Sequence, residues 1–101
     1  MLQVNNKGLI MIKKYITYGQ YEKAIDKLKE KIKENPDLEA VCYCLIGNIY
    51  VEQNNNKEAL ASYKHSMELG LKWTGLYIAL GGQYGLLGEL DLAIKYLKEC
   101  L

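Results

Sequence analysis

The sequence predicts an all-α chain of six antiparallel helices arranged as three tandem hairpins. Three observations carry that prediction. Ala24, Ala59 and Ala93 recur at spacings of 35 and 34 residues. The tracts around them align as well: YGQYEKAI (18–25), QNNNKEAL (53–60) and LGELDLAI (87–94), each a polar or glycine turn that opens an amphipathic segment. Behind the first turn, Ala24, Ile25, Leu28 and Ile32 fall at helical spacing, with lysines and acids on the opposite face.

Taken in order, a first helix is expected over about residues 4–17 and a second over 21–34. The second is lined by Lys23–Asp26, Asp26–Lys29 and Glu30–Lys33, i,i+3 charge pairs of a solvated helix surface. Pro36 behind Asn35 ends it, and Asp37 is placed to cap the next. That third helix is expected over 38–52, a fourth over 56–69, a fifth over 73–86 and a sixth over 89–101. The unusual stretch YIALGGQYGLLGELD (77–91) runs from the fifth through the turn into the sixth, with Gly81, Gly82, Gly85 and Gly88 close together. A phosphate loop needs a preceding strand and a following Gly-Lys-Ser/Thr; neither is present, so the glycines are read as helix and turn residues.

The finer pattern extends the repeat. Tyr43, Ile46, Gly47 and Tyr50 return one period later as Tyr77, Leu80, Gly81 and Tyr84, and Tyr63 and Leu97 follow the alanines at equal distance. These residues resemble the tetratricopeptide repeat, W-x2-L-G-x2-Y…A-x3-F…P over 34 residues. The first unit matches through Tyr15, Ala24, Leu28 and Pro36 and carries Ile12 at the glycine position. The resemblance implies one domain over 1–101, with repeats about 5–38, 40–73 and 74–101, the last truncated and without a capping helix. It also implies stacking of the hairpins into a right-handed solenoid with a concave face. In that frame Gly47 and Gly81 sit where paired helices cross closely, and Gly19 and Gly88 occupy turns.

Composition narrows the function. The chain has 101 residues, half hydrophobic and a quarter charged, as expected of one globular domain. No apolar run approaches the ~20 residues that span a bilayer, and the lysines of MLQVNNKGLIMIKK follow the apolar stretch, unlike a signal peptide. A cytoplasmic location is the expectation. All thirteen basic residues are lysine, so no planar guanidinium fork is available. Eight lysines against four acids in 1–34 (+4) and five against eight in the remainder (−3) make a mild dipole, not a nucleic-acid footprint. Cys42 and Cys44 lie two apart, about 200° around a helix, and cannot share a metal; they are expected as buried thiols. His65, the single histidine, has no matched nucleophile and is expected at the surface. No catalytic residue, metal site or cofactor is predicted.

The expected function is therefore a protein–protein interaction module holding a peptide or helix of a partner in a mainly apolar groove. Transferring the family's groove positions singles out Lys13, then Cys44, Asn48 and Glu52, then Ile78, Gly82 and Gly85. A branch of the family that grips a C-terminal carboxylate uses Lys, Asn and Arg where this chain has mostly Leu9, Leu45, Gly75 and Ala79, so that ligand mode is disfavoured. Gly82 and Gly85 leave a stripe of bare backbone against which another helix can lie. The alternative is a structural, self-associating unit. Its contact edge would be the apolar residues Leu90, Leu97, Cys100 and Leu101 of the last helix, because an uncapped apolar edge marks a contact surface. Trp73 is expected in the core between the second and third hairpins.

Overall fold

The computed structural model describes residues 6–100, with side chains over 10–100. Six helices follow one another: α1 (Asn6–Thr17), α2 (Tyr21–Glu34), α3 (Glu39–Glu52), α4 (Asn56–Glu68), α5 (Thr74–Leu86) and α6 (Leu90–Lys98), with no strand among the described residues. They pair as three hairpins, and α2 against α3 and α4 against α5 join one hairpin to the next. The body measures 40 × 29 × 19 Å.

The turn inside each hairpin is the same device three times. Gly19, Asn54 and Gly88 have φ of +75°, +58° and +80°, the left-handed conformation that closes a helix. In each turn the next residue's N–H returns to a tyrosine carbonyl: Gln20 to Tyr15 (2.7 Å), Asn55 to Tyr50 (2.8 Å) and Glu89 to Tyr84 (2.9 Å). Asparagine tolerates this conformation because its short polar side chain carries little of the steric cost that other residues meet there. The conserved spacing of the turns thus rests on backbone geometry, which is why QNNN and LGEL can stand at one register.

Two apolar clusters share α3 as their common wall. Ile12, Ala24, Ile25, Leu28, Cys42, Ile46 and Ile49 form the first. Cys44, Ala59, Tyr63, Leu76, Leu80, Tyr84 and Ala93 form the second. Packed on both sides, α3 has no polar face to spare, which explains why it is apolar nearly all round. The three aligned alanines are all buried, each a small residue where a second helix meets its partners. Where Gly47 lacks a side chain, the Tyr63 ring fills the space: a Cβ there would lie 2.6 Å from it. Gly81 is held likewise under Leu97, 2.7 Å from a Cβ in that position.

Several expectations are corrected. Asn35, not Asp37, caps the short 3-10 turn Pro36–Leu38 that precedes α3; its Oδ1 accepts from the Asp37 N–H at 3.2 Å. The i,i+3 ion pair found on α2 is Lys27–Glu30 at 3.3 Å. His65 lies at the surface as expected but is partnered there: Nε2 lies 3.0 Å from Glu39 Oε2, and its ring meets Tyr43 edge-on at 4.4 Å. Trp73 is 44% exposed and lies outside the core, because it precedes α5 in an extended conformation and turns its carbonyl to the N–H groups of Leu76 and Tyr77. The last helix closes at Lys98, short of the expected 101.

Candidate functional site

Lys13, Asn48 and Glu52 come together. They edge a pocket of about 300 Å³ whose floor is Ile12, Ile16, Leu28, Leu45 and Ile49, so it lies where the first hairpin meets α3. α1 supplies Ile12, Lys13 and Ile16 from one face at i, i+1 and i+4 spacing. α3 supplies Leu45, Asn48, Ile49 and Glu52 in the same way. The exposed rim is ionic and the floor is hydrocarbon. Such a site takes an apolar side chain and fixes its orientation through a few polar groups.

Asn48 is already oriented. Its Oδ1 accepts the Tyr63 hydroxyl, which leaves the amide N–H groups as its donors. Burial, and then the neighbouring Cys44, push the Tyr63 hydroxyl up to about 12, so it remains a donor across the neutral range. The repeat also shows how the second junction differs from the first. Shifting its lining by one period places Gly47 where Ile12 stands and Tyr63 where Leu28 stands. Leu28 stops short; the longer Tyr63 reaches over Gly47 to Asn48 and fills the second junction.

The other groove positions fare unequally. Cys44 is 5% exposed and belongs to the second cluster, so it offers no surface to a ligand. Burial raises its thiol, as it raises Cys42, and both are poor nucleophiles. Ile78, Gly82 and Gly85 share one exposed face of α5, at i, i+4 and i+7, apart from the pocket. A Cβ at Gly82 or Gly85 would meet nothing within 4 Å. On α6 and beyond, Leu90 is exposed, Leu97 is partly used against Gly81, and the half-buried Cys100 thiol faces the carbonyls of Thr74 and Tyr96 at 3.7 Å. Leu101 and the side chain of Leu9 lie outside the described residues. Ile16 and Leu45 fall at groove positions of the repeat, whereas Ile12, Leu28 and Ile49 were the part of the floor that sequence reading missed. Its signal was the pair Ile12 and Leu28 standing where the second repeat has Gly47 and Tyr63.

Among the described residues no group of three His, Cys, Asp or Glu side chains is placed to hold a metal. No helix among them is long and apolar enough to cross a membrane.

Comparison with known proteins places this geometry. A family model described as "Tetratricopeptide repeat" matches residues 40–69 and 74–101. The first hairpin lies outside both matches, although it repeats the same turn. No curated protein matches the sequence significantly. Among solved structures, MamA aligns with a TM-score of 0.77 at 24% identity, over 90% of this chain and 53% of its own. The chain thus spans about half the length of MamA. The second tetratricopeptide domain of Spaghetti (RPAP3), solved with the HSP90 peptide SRMEEVD, aligns at 0.77 and 17% identity over 97% of this chain and 90% of that one. The TPR2B domain of yeast Sti1, solved in a pHsp70 complex, aligns at 0.77 and 20% identity, over 94% and 75%. These similarities establish the fold.

Proposed function

The chain belongs to the tetratricopeptide repeat family, and from that premise we propose that it is a non-catalytic protein-interaction module. Its ligand is a peptide or helix of a partner protein, anchored by an apolar side chain between the first two hairpins. The observation that carries this reading is the hydrocarbon-floored pocket with Lys13, Asn48 and Glu52 at its rim. Fold alone does not assign a ligand. The similar fold in Spaghetti is seen with an HSP90 peptide and that in Sti1 in a pHsp70 complex, which supports peptide binding as a use of this architecture. The groove positions differ from those of a carboxylate clamp: Leu45, Gly75 and Ala79 offer an anion no side-chain charge or hydrogen-bond donor. Lys13 and Glu52 instead suit a ligand that carries both charge signs beside its apolar anchor.

Selection of a random peptide library on the immobilised chain tests the proposal. The expected outcome is a family of peptides sharing one large aliphatic or aromatic residue, whose affinity falls at least ten-fold for Leu45→Lys. The double charge reversal of Lys13→Glu with Glu52→Lys should change the preferred flanking charges. Binders that tolerate Leu45→Lys while its circular dichroism is unchanged, or that require a free carboxyl terminus, would sink the reading. A solution of this kind is compatible with a cytoplasmic protein, which is the location we propose.

A further inference from the structure

The repeat register allows each face of the stack to be compared with itself. On second helices, Ile25 and Leu28 of the first hairpin are buried against α3. Their counterparts Leu60 and Tyr63 pack into the second cluster with α5. One period further on, the same positions are Ile94 and Leu97, which are 51% and 44% exposed. The seat that twice receives the first helix of a following hairpin is therefore present a third time, and open.

The other end shows the matching plug. On first helices, Ile46 and Leu80 are fully buried at the position that α3 and α5 press into the preceding hairpin. Their counterpart on α1 is Met11, 40% exposed, with exposed Ile10 beside it at the position of Leu45 and Ala79. Seat and plug are different surfaces of one chain, so their union is heterologous and does not close by two-fold symmetry. Independently of the groove, we propose that the chain associates head to tail. The α1 face of one copy occupies the α5–α6 face of the next and continues the helical stack across molecules. Lys14 stands where Ile49 and Gln83 stand in the internal seats. A cation at that slot makes the intermolecular seat less apolar than the internal ones, and the association reversible.

Sedimentation and light scattering across a concentration series test this on the whole chain. The wild type should gain mass continuously with concentration, without a plateau at the dimer. Met11→Glu blocks the head and Ile94→Lys the tail; both positions are exposed, and unchanged circular dichroism confirms folding. Each variant alone should be monomeric, and an equimolar mixture should give a one-to-one dimer and nothing larger. Leu90→Lys, at a more exposed tail position, should weaken association at least several-fold. A wild type that stays monomeric would overturn the proposal. So would a dimer that survives Met11→Glu but not Ile94→Lys, because that pattern means tail-to-tail pairing.

Discussion

Single residues in this chain take opposite roles under one residue type, and the glycines show it. Gly47 and Gly82 are both helical, yet a Cβ at Gly47 would collide with Tyr63 while one at Gly82 meets open space. Gly47→Ala is expected to lower stability by about 1–3 kcal/mol through overpacking. Gly82→Ala and Gly85→Ala should each raise it by up to about 1 kcal/mol, the helix-propensity difference. Urea unfolding of the three variants checks the contrast. Their positions in the repeat separate them already in the sequence; what the sequence withholds is whether anything approaches, since that depends on the helix opposite. Tyr63 supplies a second test. Its folded hydroxyl titrates near 12 rather than its ordinary 10. The protonated phenol is thus favoured by the fold, and that contribution is intact below pH 10 and lost as pH rises towards 12. Thermal melts between pH 9 and 12 should show a steeper alkaline loss for wild type than for Tyr63→Phe.

Among the elements, α3 has the most demanding position. Two residues apart on it, Cys42 faces the first cluster and Cys44 the second, so neighbouring thiols report on different junctions. Both are buried and both are raised above the ordinary thiol range by burial. Alkylation followed by mass spectrometry should therefore modify the half-buried Cys100 first, and Cys42 and Cys44 only as their junctions open. Equal rates for all three thiols in the native protein would contradict the packing. Helix boundaries were legible because they depend on local turns: Gly19, Asn54 and Gly88 share a register that the aligned tracts reveal. Cys44 was rightly expected as a buried thiol but also placed at the groove, and Trp73 was misjudged, because burial at both depends on stacking between hairpins. A repeat position assigned to the groove can lean inward when its neighbour is a glycine or a tyrosine, and a residue ahead of a helix can point out even where two hairpins meet.

At the scale of the whole molecule, one motif is repeated with compensating changes of size. Ile12 with Leu28, Gly47 with Tyr63, and Gly81 with Leu97 are three solutions to the same contact. The first leaves a pocket, the second fills it, and the third faces outward in part. The proposed ligand pocket thus arises from a departure within the repeat, whereas the fold, and the seat proposed for a second copy, arise from what is constant. Periodicity makes the constant part readable from sequence; the departures need the neighbouring hairpin to be seen beside them. The placement of the aromatic residues has an optical consequence. The single tryptophan is partly exposed and outside both cores, while Tyr63 and Tyr84 are buried and the Tyr84 and Tyr96 rings stack at 5.5 Å. Indole emission from the folded chain is expected to change less on unfolding than that of a core tryptophan would. The asymmetric surroundings that give rise to near-ultraviolet dichroism belong to the tyrosines, and theirs is the signal that follows the stack as it comes apart.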